Sequence, residues 1–142
     1  MTQRVLVPMD ESPLGREALA YALETFPDAQ VTVVHVAYPD IDMLPADTAE
    51  VHELDTDDLD GVGDEQAQRV FEAIRDSAGD RSVTVTYLLG ETDRRLVEYA
   101  EDGDFDHVVM GTHGRDGLSR VLIGSVAEAV VRRTSIPTTL VK

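Results

Sequence analysis

Short apolar runs of strand length recur along the chain, separated by segments whose apolar residues follow helical spacing. The runs are RVLVPM at 4–9, VTVVHV at 31–36, VTVTYLL at 83–89, HVVM at 107–110 and TTLV at 138–141. The spacing between the runs predicts helices over about 13–25, 67–78, 92–100 and 125–133. Strands that alternate with helices and are apolar throughout are typical of a parallel sheet covered on both faces. We therefore predict a single α/β domain over residues 1–142.

Residues 40–60 depart from this pattern, because nine of them are acidic and Pro45 interrupts their few apolar residues. We interpret the segment as a mobile, solvated excursion between the second strand and the second helix. A calcium-binding loop at DTDDLDG is the alternative, but its spacing is wrong. With Gly61 as the turn glycine, Thr56 takes the first ligand position and Ala67 takes the bidentate one.

The charge balance is strongly acidic, with 28 acidic against 12 basic residues and a formal net charge of −16. Nucleic acid and anionic membranes bind clustered Lys and Arg, so we expect neither as a partner. The acidity can mark one face for a basic partner, or it can adapt the whole surface to high salt. Acidic residues occur in every segment and Lys142 is the single lysine, which favours the acidic proteome of a halophilic organism.

Other totals limit the class of protein further. The sequence contains no cysteine, which excludes disulfides and cysteine-based zinc sites. No apolar run approaches the roughly 20 residues of a membrane span, and RVLVPMD near the start lacks the pattern of a signal peptide. We expect a cytoplasmic protein with no membrane partner.

Two loops at predicted strand ends carry unusual chemistry. They are PMDES after the first strand and GTHGRDG after the fourth. In open α/β sheets ligands bind beyond the carboxyl ends of the strands, where the strand order reverses, so these loops would face one crevice if the two strands are neighbours. A Walker A loop is excluded because no lysine precedes Lys142, and a dinucleotide fingerprint fails because no glycine follows the first strand until Gly15.

The spacing Gly111-x2-Gly114-x9-Gly124-Ser125 is the remaining candidate for a phosphate site. The glycines leave the backbone accessible, and Gly124-Ser125 opens a helix whose free N–H groups and positive dipole end suit an anion. Arg115 is the nearby cation and can hold a phosphate oxygen. The alternative is a tight turn followed by an ordinary serine cap. The four positions together, between a strand and a helix, favour the anion site.

Asp10, at the end of the first strand, has two interpretations. It can be an acidic residue that complements the first turn of the helix, or a ligand for ribose hydroxyls or a metal ion. Among the histidines, His113 is expected to pack in its loop, while His35 and His107 lie within strands and are expected to be structural. His52 has no partner that the sequence identifies.

The motifs VLVPMDES, VVHV and DHVVMGTHGRDGLSRVLIGSVAEAVVRRTSIPTTLV resemble the universal stress protein superfamily. The resemblance covers the chain apart from residues 40–60. It implies a flavodoxin-like or Rossmann-like open sheet of five parallel strands in the order 3-2-1-4-5, with helices on both faces. The spacing G-x2-G-x9-G-[ST] is intact, and in that family it distinguishes the members that bind ATP.

The resemblance also implies roles for matching residues. Pro8 and Asp10 would lie by the ribose and phosphates, and Val36 would offer backbone hydrogen bonds to the adenine. The phosphates would be wrapped by the glycine loop and the helix that follows it, usually with Mg²⁺ or Mn²⁺ bridging them. The residues of that loop and helix are Gly111, Gly114, Arg115, Gly124, Ser125 and Val126.

These observations favour an ATP-binding regulatory or stress-response protein that forms a homodimer through its C-terminal strand, as the family commonly does. No general base with an orienting partner is evident, so we expect little or slow hydrolysis and at most autophosphorylation. One alternative is a nucleotide-independent dimeric interaction module of the same fold. A further one, an AMP-forming ligase, would need a serine- and glycine-rich loop in place of PMDES.

Overall fold

The computed structural model describes residues 2–38, 49–113 and 123–142. Their strands form one sheet in the order β3-β4-β2-β1-β5-β6, in which β3 is antiparallel to β4 and the other neighbours are parallel. The strands are β1 (Arg4–Pro8), β2 (Gln30–Ala37), β3 (Val51–Asp55), β4 (Val83–Leu89), β5 (His107–Gly111) and β6 (Thr138–Val141). The helices are α1 (Pro13–Thr25), α2 (Glu65–Ala78), α3 (Thr92–Asp102) and α4 (Ser125–Arg133). The α/β class and the order of the five parallel strands are confirmed.

The strand order reverses at β1, which pairs with β2 on one side and with β5 on the other. On the β5 side Val5 lies opposite His107 and Leu6 opposite Val108. On the β2 side the register runs from Arg4 opposite Gln30 to Pro8 opposite Val34. The loops that follow β1 and β5 therefore leave the same edge of the sheet side by side, as the two-loop hypothesis requires.

Local sequence explains where the helices begin. Ser12 caps α1, its hydroxyl accepting the Gly15 N–H at 3.3 Å, and Pro13 occupies the first helical position, where its missing N–H costs nothing. Asp64 caps α2 in the same way through the Ala67 N–H at 2.9 Å. Because each helix runs back along the sheet and leads into the next parallel strand (β2, β4, β5 or β6), its N-terminus lies at the carboxyl ends of these strands.

The hydrophobic core lies on both faces of the sheet. Val5 and Val7 of β1 pack under α1 and α2, while Leu6 between them packs under α3 and α4 with Val34 and Val108. This alternation explains why the strands are apolar at every position. Each fully buried side chain of this size stabilises the fold by about 1.5–3 kcal/mol.

The expectation of a mobile, solvated excursion over residues 40–60 is wrong for the part that the structure describes. Val51–Asp55 is the edge strand β3, a 3₁₀ turn follows over Thr56–Asp58, and Leu59 is completely buried. A bulge between Val51 and Leu54, with Glu53 at φ +53°, puts two polar residues between the inward-facing apolar ones. The strand therefore lacks the strict alternation of apolar and polar residues that predicts a strand, and its acidic residues made it resemble a loop. Residues 40–48 lie outside the described residues.

Candidate functional site

A cavity of about 400 Å³ opens at the carboxyl ends of β1, β2 and β5. This volume falls within the usual range for small-molecule pockets. Each helix contributes at least one residue from its cap or first turn, among them Ser12, Gln66, Thr92 and Ser125. Four helix N-termini therefore point at one space, and the positive ends of their dipoles favour a negatively charged occupant.

Most of the predicted site residues line this cavity, although they are far apart in sequence. Those brought together are Pro8, Asp10, Val36, Gly111, Gly124, Ser125 and Val126. Gly114 and Arg115 lie outside the described residues. The ligand roles assigned to all nine residues stay predictions.

The carboxylate of Asp10 is oriented by the start of α1. Its Oδ1 accepts the Ser12 N–H at 2.8 Å, and the Ser12 hydroxyl accepts the Gly15 N–H in the first turn of the helix. The two sequence interpretations of Asp10 are therefore compatible. The side chain stabilises the first turn and at the same time lies at the wall of the cavity.

Val36 presents its backbone to the cavity. Alternate residues of a strand direct their N–H and C=O groups to the same side. The Val34 carbonyl accepts the Met9 N–H at 2.9 Å, on the side of β1, while the Ala37 carbonyl accepts the Gly90 N–H at 3.0 Å, on the side of β4. Val36 therefore directs both groups toward β1, at a level beyond the end of that strand.

Packing requires a glycine at Gly111 and leaves little room for a side chain at Gly124, the other described glycine of the spacing motif. A Cβ on Gly111 would lie 2.7 Å from the Leu14 Cβ, so its absence lets α1 lie against β5. Gly124 donates its N–H to the Thr112 carbonyl at 2.6 Å, and a Cβ there would lie 3.2 Å from the His113 Cα. These contacts bring the start of the loop against the start of α4. Gly111 therefore lacks a side chain so that α1 can pack against it, a reason that the sequence interpretation did not include.

The first turn of α4 supplies hydrogen-bond donors to the cavity. Gly124 is its buried N-cap residue, and Ser125 and Val126 follow it in the cavity wall. The leading N–H groups of a helix have no acceptor within the helix, and Ser125 adds a hydroxyl. The opposite end carries Arg132 and Arg133, which suit the negative end of the dipole.

His35 lies in the cavity wall and is 5% exposed. Its Nδ1 is 3.0 Å from the Met9 carbonyl oxygen, and its ring stacks on Tyr87 with centroids 6.0 Å apart. Burial lowers the pKa of His35, which outweighs the raising effects of the Met9 hydrogen bond and of nearby carboxylates. The imidazole is therefore neutral at pH 7. Sequence reasoning missed its place in the cavity, although its position next to Val36 was a usable signal.

The other described histidines lie in different surroundings. His107 bonds Thr139 on β6 through Nε2 at 2.7 Å and contacts the ring of Phe26, which agrees with a structural role. His113 lies in the cavity wall, with Nδ1 3.3 Å from the Thr112 hydroxyl. His52, on the exposed edge strand, lies near Glu50 and Tyr99.

Side-chain ligands for a metal ion are sparse in the described ranges. Within 2–38, 49–113 and 123–142 no three His, Asp or Glu side chains are grouped closely enough to hold an ion. Asp10 is the carboxylate that these ranges contribute to the cavity. No helix in the same ranges has the length and hydropathy needed to cross a bilayer.

An open α/β sheet with a cavity at the point where its strand order reverses defines the doubly wound class of α/β proteins. Within that class the sequence is specific. The universal stress protein family model matches residues 1–142, and the chain belongs to that family.

Two relatives from one organism are similar over nearly the whole chain. Universal stress protein MJ0531 of Methanocaldococcus jannaschii is 30% identical over 145 residues, covering 99% of this chain and 82% of the relative. Universal stress protein MJ0577 of the same organism is 29% identical, covering 100% and 96%.

Solved structures of the same family share the fold. The structure of MJ0577 superposes with a TM-score of 0.74 at 24% identity, covering 100% of this chain and 96% of that one. Universal stress protein UspA from Lactobacillus plantarum superposes with a TM-score of 0.70 at 21% identity, covering 99% and 97%. A universal stress protein solved in complex with cAMP gives a TM-score of 0.64 at 21% identity, covering 99% and 96%.

Proposed function

We propose that the protein is an ATP-binding regulatory protein of the stress response, which holds the nucleotide in this cavity and hydrolyses it slowly or not at all. The observation that carries the proposal is the pairing of two features in one space. A strand backbone edge at Val36 is suited to a base, and a helix N-terminus at Gly124-Ser125 is suited to phosphate. The related protein solved with cAMP supports an adenine nucleotide as the ligand class.

At one end of the site the adenine base would be recognised by hydrogen bonds from the Val36 backbone. Adenine offers an acceptor, N1, beside a donor, the N6 amino group. One residue that directs its N–H and C=O to the same side can pair with both atoms. The inosine base has the opposite arrangement, with a donor at N1 and an acceptor at O6. Backbone recognition of this kind therefore selects adenine.

The phosphate end would be bound by backbone N–H groups of α4, by the Ser125 hydroxyl, and by Gly114 and Arg115 of the preceding loop. Pro8 and Asp10 would lie along the ribose and phosphates. Asp10 is the carboxylate that the described part of the wall contributes, so Mg²⁺ or Mn²⁺ would take most of its ligands from phosphate oxygens and water, as Mg²⁺ usually does. When bound, the ion would neutralise phosphate charge beside the Asp10 carboxylate.

The described side chains of the cavity wall support the slow hydrolysis that we propose. A general base needs a proton acceptor within hydrogen-bond reach of the attacking water, held by an orienting group. His35 is buried and bonded to a carbonyl, and the Asp10 carboxylate is engaged with the Ser12 N–H. Turnover above roughly 1 s⁻¹, the ordinary range for enzymes, would overturn this part of the proposal.

We also infer a homodimer formed through β6. The Val108 N–H donates to the Pro137 carbonyl and the Thr112 N–H to the Val141 carbonyl, so the backbone groups of Pro137 and Val141 face β5. Leu140 between them therefore directs its N–H and C=O outward, where a second copy can pair with it. The opposite edge of the sheet is β3, whose bulge and exposed Glu53 oppose such pairing.

The wide distribution of acidic residues supports our inference of adaptation to high salt. The arginines of the chain form ion pairs that are mostly exposed, such as Arg69 with Glu11 at 3.0 Å and Arg132 with Glu128 at 3.0 Å. Exposed pairs contribute little, about 0–1 kcal/mol each. They therefore leave most of the self-repulsion of a −16 chain to be screened by salt.

The proposal is tested by direct binding. The protein, purified in high salt, is denatured and the released adenine nucleotide is measured, and the emptied protein is titrated with MgATP by calorimetry. Ser125→Ala should weaken binding about tenfold or more, because a hydrogen bond to a charged group contributes about 1.5–3 kcal/mol. Ser77→Ala, in the last turn of α2, is the matched control and should bind as the parent does.

The nucleotide-independent interaction module is the competing function, and the same experiment decides between the two. A protein that carries no nucleotide, gives no heat with MgATP and shows no thermal stabilisation by it would favour that module. Equal affinities of the Ser125→Ala and Ser77→Ala variants would contradict the assignment of the phosphate end to α4.

A further inference from the structure

The backbone ladder between β1 and β2 ends at an unusual hydrogen bond. The Met9 N–H donates to the Val34 carbonyl at 2.9 Å, which continues the parallel pairing one residue beyond Pro8. In a regular parallel ladder the next bond would run from the Val36 N–H to the Met9 carbonyl. In this structure the Met9 carbonyl lies 3.0 Å from His35 Nδ1.

The direction of that bond follows from its chemistry. A carbonyl oxygen can only accept, so Nδ1 carries the proton and donates. Burial lowers the pKa of His35, which leaves the ring neutral with Nε2 unprotonated. The ring stack on Tyr87 holds the imidazole in place, and Tyr87 itself is only 1% exposed.

We propose that His35 is a positioning residue that ends the β1–β2 ladder and keeps the Val36 N–H available to a ligand in the cavity. Its imidazole N–H takes the acceptor that would otherwise pair with Val36. β1 can then diverge from β2 after Met9, which opens the cavity between them. The part of the inference that concerns adenine rests on the proposed function.

Removing the imidazole donor leaves the Met9 carbonyl without a partner in a buried place, which is unfavourable. The nearest backbone donor able to replace it is the Val36 N–H. We therefore expect the ladder to extend by one bond in such a variant, with loss of the donor that would meet adenine N1.

Two substitutions of similar polarity separate this role from simple packing. His35→Asn places an amide N–H at the δ position, the position of Nδ1, and should keep the bond to Met9. His35→Gln places its amide one bond further out, at the ε position, and should not keep it. His107→Asn is the matched control, because His107 is a partly buried strand histidine outside the cavity wall.

Hydrogen exchange of the Val36 amide is the direct readout, and it needs no ligand. The Val36 N–H should exchange quickly in the parent protein and in His35→Asn, and at least tenfold more slowly in His35→Gln. Slow exchange in the parent protein, or equal exchange in the Asn and Gln variants, would overturn the proposal. A purely structural role predicts equal exchange rates for the two variants.

Nucleotide selectivity is the second readout. The parent protein should bind ATP at least tenfold more tightly than inosine triphosphate, and His35→Gln should lose most of that ratio while His35→Asn and His107→Asn keep it. An unchanged ratio in His35→Gln would overturn the role in base recognition. A parent protein that binds neither nucleotide but shows the expected exchange pattern would refute the proposed function and leave the positioning of Val36 intact.

Discussion

Replacement of Gly111 by alanine tests whether this glycine serves the packing of α1 or the approach of a ligand. The added Cβ would lie 2.7 Å from the Leu14 Cβ and 3.3 Å from the His113 carbonyl oxygen. Carbon atoms in contact are ordinarily about 3.5–4.0 Å apart, so the first distance is about 1 Å too short. Because Leu14 Cβ is attached directly to the helix backbone, α1 itself must shift.

The expected cost follows from measured overpacking. Inserting a methyl group into a filled space destabilises a protein by about 1–3 kcal/mol. Unfolding entropy of about 2.1 cal/mol/K per residue gives roughly 0.3 kcal/mol/K for 142 residues. Gly111→Ala should therefore lower the unfolding midpoint by about 3–10 °C.

Gly15→Ala is the matched control, because Gly15 also lines the cavity and lies in α1. Its Cβ would meet the Asp10 carbonyl oxygen at 3.4 Å and the Met9 Cγ at 3.6 Å, which are ordinary contacts. Alanine is the better helix former by up to about 1 kcal/mol. The midpoint of this variant should therefore be unchanged or up to about 3 °C higher.

Thermal unfolding followed by circular dichroism, at one salt concentration and without nucleotide, measures both variants. A Gly111→Ala midpoint within 1 °C of the parent protein would refute the packing argument. If that stable variant also bound MgATP more weakly, the glycine would serve the ligand, as the sequence alone suggested.

Three further predictions concern assembly, pH and salt. Leu140→Pro removes an outward N–H from the β6 edge and should convert a dimer to a monomer on gel filtration. Circular dichroism is the control for folding, and an unchanged size would reject this interface. Stability against denaturant should fall as the pH drops below about 6.5, because burial lowers the pKa of His35 and His107 and the unfolded chain takes up these protons first. The loss for buried His35 is up to about 1.4 kcal/mol per pH unit, and the more exposed His107 contributes less because solvent screens it. A His35→Asn variant should lose less, and a flat profile in the parent protein would contradict the assignment. MgATP affinity should rise between 0.1 and 1 M KCl; a fall with salt would count against a site built on backbone donors.

Much of the fold could be predicted because the relevant signals are local. The apolar runs at 83–89 and 138–141 coincide with β4 and β6, and the spacing at 125–133 coincides with α4. β3 was missed because the bulge at Glu53 removes the period-two pattern that distinguishes a half-buried strand from an acidic loop.

The sequence predicted which residues form the candidate site, but not the structural role that each of them has there. Strand order and strand ends bring Asp10, Val36 and Ser125 to one edge, and these follow from the pattern and the resemblance. The purpose of Gly111 could not be predicted, because its neighbour Leu14 comes from another element 97 positions away in sequence. The role of His35 depends on the residue at which the β1–β2 ladder stops, which is a property of the packed sheet.

The sign of the salt prediction follows from where the positive potential of the cavity originates. Among the described residues of its wall there is no lysine or arginine, and Asp10 adds a negative charge. In the proposed site, attraction for phosphate then comes from the N–H groups of α4, the dipoles of the helix N-termini and Arg115, all of which act over the distance of a direct contact. Repulsion comes from a net charge of −16 spread over the whole chain, and it acts over longer distances. The screening length falls from about 10 Å at 0.1 M salt to about 3 Å at 1 M, so salt removes the repulsion while leaving contacts within the cavity largely intact.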